Sequence, residues 1–327
     1  MWPTAERPRV GTFVERQVQG LEMIGVEVEP LVIDRQGAGA FSYRLVPPLV
    51  REAVRAFRPD IMHVMYGGVM AEAVFRSRPK VPVVQAFCGT DLLGEQVGSV
   101  LQRVRGWVGV VCSNRAARRA RGIIVKSRNL ERALPPDVDR SIVHVIPNGV
   151  DLGVFRPQDR SKCRSRLGWE QDIFHVVFST PRLGDANKRP ALAREVIECL
   201  NSGGLHSELH IMLDIPHNEM PTRLNAADAV LMTSAHEGSP NIIKEALACD
   251  RPVVSVDVGD VRERLEGVEG CFIAEPDLEA LAGKLQAVAD GPGIVPGREK
   301  VKDLSIEAVA RRLVVVYEAA IASRETG

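Results

Sequence analysis

The sequence predicts an α/β fold of two successive Rossmann-like domains with mainly parallel sheets, and three observations carry that reading. Short β-branched runs alternate with helical patterns along the whole chain. The alternation breaks once, in "HVIPNGVDLGVFRPQDRSKC" at 144–163, which has two prolines, two glycines and no helical period. Charge divides at the same place, with 21 Lys+Arg against 14 Asp+Glu in residues 1–150 and 21 against 28 in 151–327. The expected domains are therefore 1–152 and 153–327. Ligands of such sheets bind at the carboxyl ends of the strands, so two facing sheets would share a cleft lined by strand-to-helix loops.

In the first half, residues 12–24 read as a helix, followed by Gly25 and a strand "VEVEPLVI" at 26–33. A helix near 46–57 leads to the strand "IMHVM", then to Tyr66-Gly67-Gly68 and another helix. "VPVVQAF" is a strand ending at Cys88-Gly89-Thr90-Asp91, and "GIIVKS" is a later one. The second half restarts with "DIFHVVFST" as strand and "PALAREVIECLN" as helix, then "ELHIMLD", the short helix "MPTRLNAA" and the strand "DAVLMTS". "PNIIKEALAC" is a helix, "RPVVSV" a strand, and a long amphipathic helix over 305–323 closes the chain.

With 327 residues, 45% hydrophobic and 26% charged, the chain has the composition of a globular protein with ordinary cores. No apolar run approaches the length of a membrane span and the first ten residues lack the apolar core of a signal peptide, so a cytoplasmic location is expected. Six scattered cysteines without a C-x-x-C pair read as reduced thiols. The one D-x-D, Asp137 to Asp139, follows two prolines in a loop and is not read as a metal site. Arg115, Arg118, Arg119 and Arg121 make the densest basic stretch: either a solvated helix face, or a peripheral contact for an anionic lipid or a phosphorylated acceptor. Nucleic acid is not expected, because no aromatic platform accompanies the arginines.

The most informative stretch is "HEGSPNIIKEALA" at 236–248. Ser239 is a good N-cap and Pro240 suits the first helical position, so the free amides of this helix should point toward Gly238 and favour a phosphate. Glu237 and Glu245 would repel that phosphate, yet they suit hydroxyl groups on either side of it, the layout of a nucleotide-sugar. The plainer reading, acids that offset a helix dipole, stays open on spacing alone.

The E-x7-E frame of Glu237 and Glu245, the preceding "NAADAVLMTS", the following "RPVVSVDVGDVRE" and the upstream "VIPNGVDLGVF" together resemble family 4 retaining glycosyltransferases with the GT-B fold. The resemblance runs from about residue 9 to the final helix. It implies that Glu237 contacts the donor sugar near the reaction centre, that Glu245 binds the ribose, and that the segment Gly238, Ser239, Pro240 and Asn241 lies near the diphosphate. It also implies a cationic clamp on the diphosphate, supplied by Arg182 and Lys188 of "STPRLGDANKRP", with Arg189 able to replace Lys188. Gly11 resembles the first-domain glycine loop near the diphosphate. Tyr66, Cys88, Gly89 and Asp91 are expected around the acceptor or sugar. Many relatives read H-G-x-D where this chain has Cys88-Gly89-Thr90-Asp91, and a cysteine cannot copy the hydrogen bonds of that histidine.

The implied activity is metal-independent transfer of a sugar, with retention, from a nucleoside-diphosphate sugar to a lipid, glycan or small metabolite, without a cofactor. The alternative is a catalytically weak or inactive nucleotide-sugar-binding homologue acting as sensor or partner subunit. A NAD-linked oxidoreductase is disfavoured, because no G-x-G-x-x-G follows a first strand. Relatives place a β-strand before the loop at Gly11, where this chain has "MWPTAERPRV", so the first sheet is expected to lack its first strand. The last helix is expected to return toward the first domain.

Overall fold

A computed structural model describes residues 2–3, 11–33, 42–94 and 99–325. It divides into two compact units, one formed by Phe13–Gly149 with the helix that starts at Ile306, the other by Val150–Ser305.

The first unit carries helices Thr12–Met23 (α1) and Ser42–Phe57 (α2), strand Met62–Met65 (β1), helix Gly68–Arg76 (α3), strand Val83–Phe87 (β2) and the short helix Thr90–Leu93 (α4). Helix Val100–Ala117 (α5), strand Gly122–Val125 (β3), helix Arg128–Ala133 (α6) and strand Val143–Val145 (β4) follow. The four strands are parallel in the order β1-β2-β3-β4, with Val64 beside Gln85 and Gln85 beside Ile123. Every residue of β2 and β3 is buried, as expected for strands covered on both faces, which is why they read as unbroken apolar runs. Gln85 is the polar exception, and its Nε2 donates to the carbonyls of Tyr66 at 2.9 Å and Ala86 at 2.8 Å. Val64, Phe87, Ile123 and Val125 point into one core with Phe75 of α3 and Ala116 and Ala117 of α5.

Residues 26–33 form no strand. A strand needs a neighbour to complete its ladder, and Pro30 offers no amide to one. Leu31 and Val32 are instead exposed, while Ile33 packs against the core. The strand expected ahead of Gly11 falls outside the described residues.

The second unit contains helix Arg160–Leu167 (α7), strand Phe174–Ser179 (β5), helix Pro190–Ser202 (α8), strand Ser207–Met212 (β6), helix Met220–Ala226 (α9), strand Ala229–Met232 (β7) and helix Asn241–Ala248 (α10). Strand Val253–Ser255 (β8), helix Val261–Leu265 (α11), strand Phe272–Ile273 (β9), and helices Leu278–Ala289 (α12) and Gly297–Lys300 (α13) complete it. Its parallel sheet runs β6-β5-β7-β8-β9. The chain moves outward from β5 to β6 and then crosses to the other side at β7. The crevice between the carboxyl ends of β5 and β7 is thus the switch point where ligands of open α/β sheets bind.

The final helix, Ile306–Glu325 (α14), belongs to the first unit and lies against β2 and β3. Tyr317 Oη lies 2.6 Å from His63 Nδ1 on β1, and Arg312 donates to the carbonyl of Val145 on β4 at 2.7 Å. Gly20 of α1 meets the start of this helix closely: a Cβ there would lie 2.7 Å from the carbonyl oxygen of Ile306.

Candidate functional site

Two loops flank the switch point of the second sheet. The first, 180–189, leaves β5; the second, 233–240, leaves β7 and enters α10. Asn187 joins them, donating from Nδ2 to the carbonyl of His236 at 3.1 Å and accepting from the His236 amide at 3.1 Å. Arg189, at φ +53°, donates to the carbonyl of Thr233 at 2.5 Å and of Ser234 at 3.3 Å. Thr233 Oγ1 returns a bond to the carbonyl of Lys188 at 2.6 Å. Arg189 therefore ties one loop to the other, and Lys188 is the cation that meets Glu237.

Lys188 Nζ lies 2.5 Å from Glu237 Oε1, with side-chain exposures of 21% and 18%. This half-buried pair brings together two of the residues singled out in the sequence. Arg182 stands apart, 74% exposed, with Nε 3.8 Å from Asp185 Oδ2. Asp185 also accepts from the amides of Asn187 at 2.9 Å and Lys188 at 3.2 Å, which fixes the turn that presents the lysine.

Helix α10 starts at Asn241, one residue later than the sequence suggests, with Pro240 in the N-cap position and no side-chain cap. Ser239 does not cap it because its hydroxyl is engaged elsewhere: Oγ donates to Asp260 Oδ2 at 2.9 Å and accepts from Lys244 Nζ at 3.0 Å. Lys244 and Asp260 are both buried. Burial pushes the Asp260 carboxyl up, against the pull of Lys244, the Ser239 hydrogen bond and Arg264. Pro240 has no N–H, so the backbone amides around this helix start belong to Gly238, Ser239 and Asn241. Glu245 lies in the second turn and is half-buried.

Beneath this loop sits Gly259, at φ +61°, where a Cβ would lie 2.4 Å from the carbonyl oxygen of Gly238 and 3.2 Å from that of Glu237. Gly259 and Asp260 thus support the Gly238-Ser239 turn. Neither residue has a role in the sequence pattern alone; the signal was "VGD" at 258–260 in the loop that follows β8.

In the first unit, the loop after β2 folds around Asp91. Its carboxylate accepts from the amides of Gly89 at 2.7 Å, Gly67 at 2.9 Å and Cys88 at 3.0 Å. Asp91 thereby fastens the end of β1 to the end of β2, and Tyr66, at φ +71°, makes the turn between β1 and Gly67. Ser113 of α5 adds a brace, donating to the carbonyl of Asp91 at 2.6 Å and accepting from the Gly68 amide at 2.7 Å. The Cys88 thiol is pushed up to about 12, first by burial and then by the Asp91 charge. It is held as a neutral thiol, not a nucleophile. Gly11, at φ +84°, turns the chain into α1. Lys126, just after β3, is buried, and burial lowers its pKa while Cys88 and Asp91 oppose that.

Of the basic run, Arg118 is paired with Asp137 at 2.6 Å, and Arg119 with Glu72 at 3.3 Å and the carbonyl of Phe75 at 2.9 Å.

Residues 5–149 match the family model described as Glycosyl transferase 4-like domain, and residues 182–290 match Glycosyl transferases group 1. The chain belongs to the family 4 glycosyltransferases. A D-inositol 3-phosphate glycosyltransferase of Catenulispora acidiphila is 27% identical over 217 residues, covering 55% of this chain and 52% of that protein. This chain spans about half the length of the D-inositol 3-phosphate glycosyltransferases it matches. Among solved structures, sucrose-phosphate synthase from Thermosynechococcus elongatus aligns with a TM-score of 0.74 at 18% identity, over 95% of this chain and 93% of that one. HepE from Anabaena, solved with UDP and glucose, aligns at 0.58 and 22% identity, over 95% and 89%. These likenesses establish the GT-B fold. Within this family 4 chain, the residues drawn together are Lys188 with Glu237 in one unit, and Tyr66, Cys88, Gly89 and Asp91 in the other.

Proposed function

We propose that this chain transfers a sugar from a nucleoside-diphosphate sugar to an acceptor, with retention at the anomeric carbon and without a divalent metal. The observation that carries the reading is the Lys188–Glu237 pair at the switch point, beside the uncapped start of α10. A departing diphosphate needs fixed positive charge. Lys188 supplies it from a turn held by Asp185 and Asn187, with the amides of Gly238, Ser239 and Asn241 and the exposed Arg182 adding to it. Glu237 would accept from hydroxyls of the donor sugar and Glu245 from the ribose. Because these groups neutralise the diphosphate, the donor needs no Mg²⁺ or Mn²⁺. Front-face attack, with a donor phosphate oxygen taking the acceptor proton, then makes positioning the main source of rate.

UDP is the first nucleotide to try, since HepE was solved with it. A panel of UDP-, GDP- and ADP-sugars, scored by thermal shift and then by donor hydrolysis in EDTA, tests the reading. Binding without any turnover would point to the inactive sensor; turnover that only Mg²⁺ or Mn²⁺ restores would remove the metal-independent route. NMR of the product's anomeric proton decides retention.

For the acceptor, the reading includes peripheral contact with an anionic lipid surface, through the basic run Arg115, Arg118, Arg119 and Arg121 and the exposed stripe of α5 that precedes it. Val100, Leu101, Val104, Trp107 and Val108 are 76%, 59%, 52%, 67% and 41% exposed, and their spacing puts them on one helical stripe. Arg103 and Arg105 flank it, and residues 99–130 contain no Asp or Glu. An exposed apolar stripe bearing Trp and flanked by arginines suits an anionic lipid interface.

A further inference from the structure

Far from the switch point, at the amino-terminal ends of β5 and β6, two imidazoles and a carboxylate converge. The parallel register sets His175 beside Glu208 and Val177 beside His210, so Glu208 and His210 stand two apart on the edge strand. His175 Nδ1 lies 2.8 Å from His210 Nε2, and Glu208 Oε2 lies 3.8 Å from the first and 3.7 Å from the second. The circle through these three atoms has a radius of about 2.0 Å, which is the length of a Zn–N or Zn–O bond. We propose that His175, Glu208 and His210 bind one divalent transition-metal ion of the zinc class, with water completing the coordination.

The surroundings fit that chemistry. His175 Nε2 lies 2.7 Å from the carbonyl of Glu170 and donates to it, which leaves the Nδ1 lone pair free; imidazoles that ligate metals are oriented by such a bond. Trp169 stacks on His210 with centroids 3.5 Å apart and planes 10° from parallel, fixing the plane of the second ring. His175 is buried and His210 nearly so, whereas Glu208 is 54% exposed, so the carboxylate side gives the ion an entry path. The nearby Arg164 would oppose a cation, but its Nη2 is 2.5 Å from Asp228 Oδ2, which offsets its charge.

Without metal, the same atoms make a satisfied pair in which His210 Nε2–H donates to His175 Nδ1. Binding requires His210 to move that proton to Nδ1 and the two nitrogens to part by about half an ångström toward tetrahedral spacing. No proton is lost.

Tag-free protein, stripped with a chelator that is then removed, should be titrated with Zn²⁺ by calorimetry and with Co²⁺ or Ni²⁺ by tryptophan fluorescence. One equivalent per chain should bind, and the paramagnetic ions should quench Trp169 through the stacked His210. Glu208→Gln, at an exposed position that leaves the fold intact, should weaken binding about tenfold. His210→Gln should abolish it, and Trp169→Phe should retain Zn²⁺ binding while losing the quench. No saturable one-equivalent binding at sub-millimolar metal would overturn the proposal. So would wild-type affinity in Glu208→Gln together with quenching that survives Trp169→Phe. None of these readouts depends on sugar transfer.

Discussion

Lys188 Nζ and Glu237 Oε1 stand 2.5 Å apart, joining the loop after β5 to the loop after β7. On the proposed reading the lysine faces the donor diphosphate, and a carboxylate offsets its charge. Glu237→Gln should lower kcat at least about tenfold, yet leave free nucleoside-diphosphate affinity unchanged or tighter, since Lys188 loses its counter-charge. Lys188→Ala should lower kcat by about 10²- to 10³-fold and weaken the nucleotide as well. Glu245→Gln should weaken the nucleotide by about 1–3 kcal/mol, with kcat at saturating donor little changed. Calorimetry with UDP or GDP and steady-state kinetics read both quantities. An equal loss of nucleotide affinity in both glutamate variants would contradict these roles.

Gly259 predicts a stability effect coupled to that site. Its φ of +61° disfavours any L side chain, and a Cβ would meet the Gly238 carbonyl at 2.4 Å. Gly259→Ala should destabilise the second unit by about 1–3 kcal/mol and weaken donor binding by shifting the Gly238-Ser239 turn. Gly153→Ala, where the Cβ would meet only Asp151 Oδ1 at 3.3 Å, serves as the control. Denaturant melts and nucleotide titration of both variants check this; equal behaviour would remove Gly259 from the site.

Much of this was legible in the residues because period and punctuation carry it. Buried strands such as "VVQAF" and "GIIV" read directly, since strands covered on both faces leave no polar alternation to confuse with a helix. "VEVEPLVI" alternates as well but pairs with no strand among the described residues, and pairing is a tertiary fact that local pattern does not contain. Likewise Ser239 is a good cap by composition, but the bond to Asp260, 21 residues away, takes its hydroxyl. Arg189 and Lys188 are adjacent cations in sequence; only the positive φ of Arg189 and the carbonyls of Thr233 and Ser234 separate the brace from the charge that faces Glu237. The His175–Glu208–His210 cluster was invisible because its members come from two strands in register.

The first unit should lose stability in acid through His63. Burial, helped by the Lys126 charge, lowers its pKa to about 3, against about 6.5 when unfolded. The folded pKa is depressed, so the contribution is fully present above pH 6.5. It is lost as pH falls from there toward about 3, because the unfolded chain binds a proton the folded one does not. His63→Gln should flatten this part of the melting-temperature profile between pH 7 and 5, where carboxylates contribute least. A wild-type slope retained in the variant would assign the loss to other groups.

The stripe on α5 makes the last test. Vesicles of zwitterionic lipid alone and with a third of anionic lipid, in low and high salt, separate the apolar from the electrostatic contribution. Binding should favour the anionic vesicles and fall with salt, because each arginine near such a surface contributes about 1 kcal/mol and is screened within a Debye length. Arg103→Gln with Arg105→Gln should therefore reduce partitioning about tenfold or more at low salt, with less effect at high salt. Trp107→Ser with Val104→Ser should reduce it in both, since burial of an apolar side chain does not depend on ions. These positions are 67% and 52% exposed, so the substitutions leave the core untouched and circular dichroism should not change. Trp107 fluorescence should also shift to the blue on anionic vesicles, reporting the ring's entry into the interface. If the protein floats equally well with both double variants, the stripe does not carry the lipid contact; if it remains in solution with every vesicle while sedimenting as a dimer that Trp107→Ser dissociates, the stripe serves a second copy of the chain.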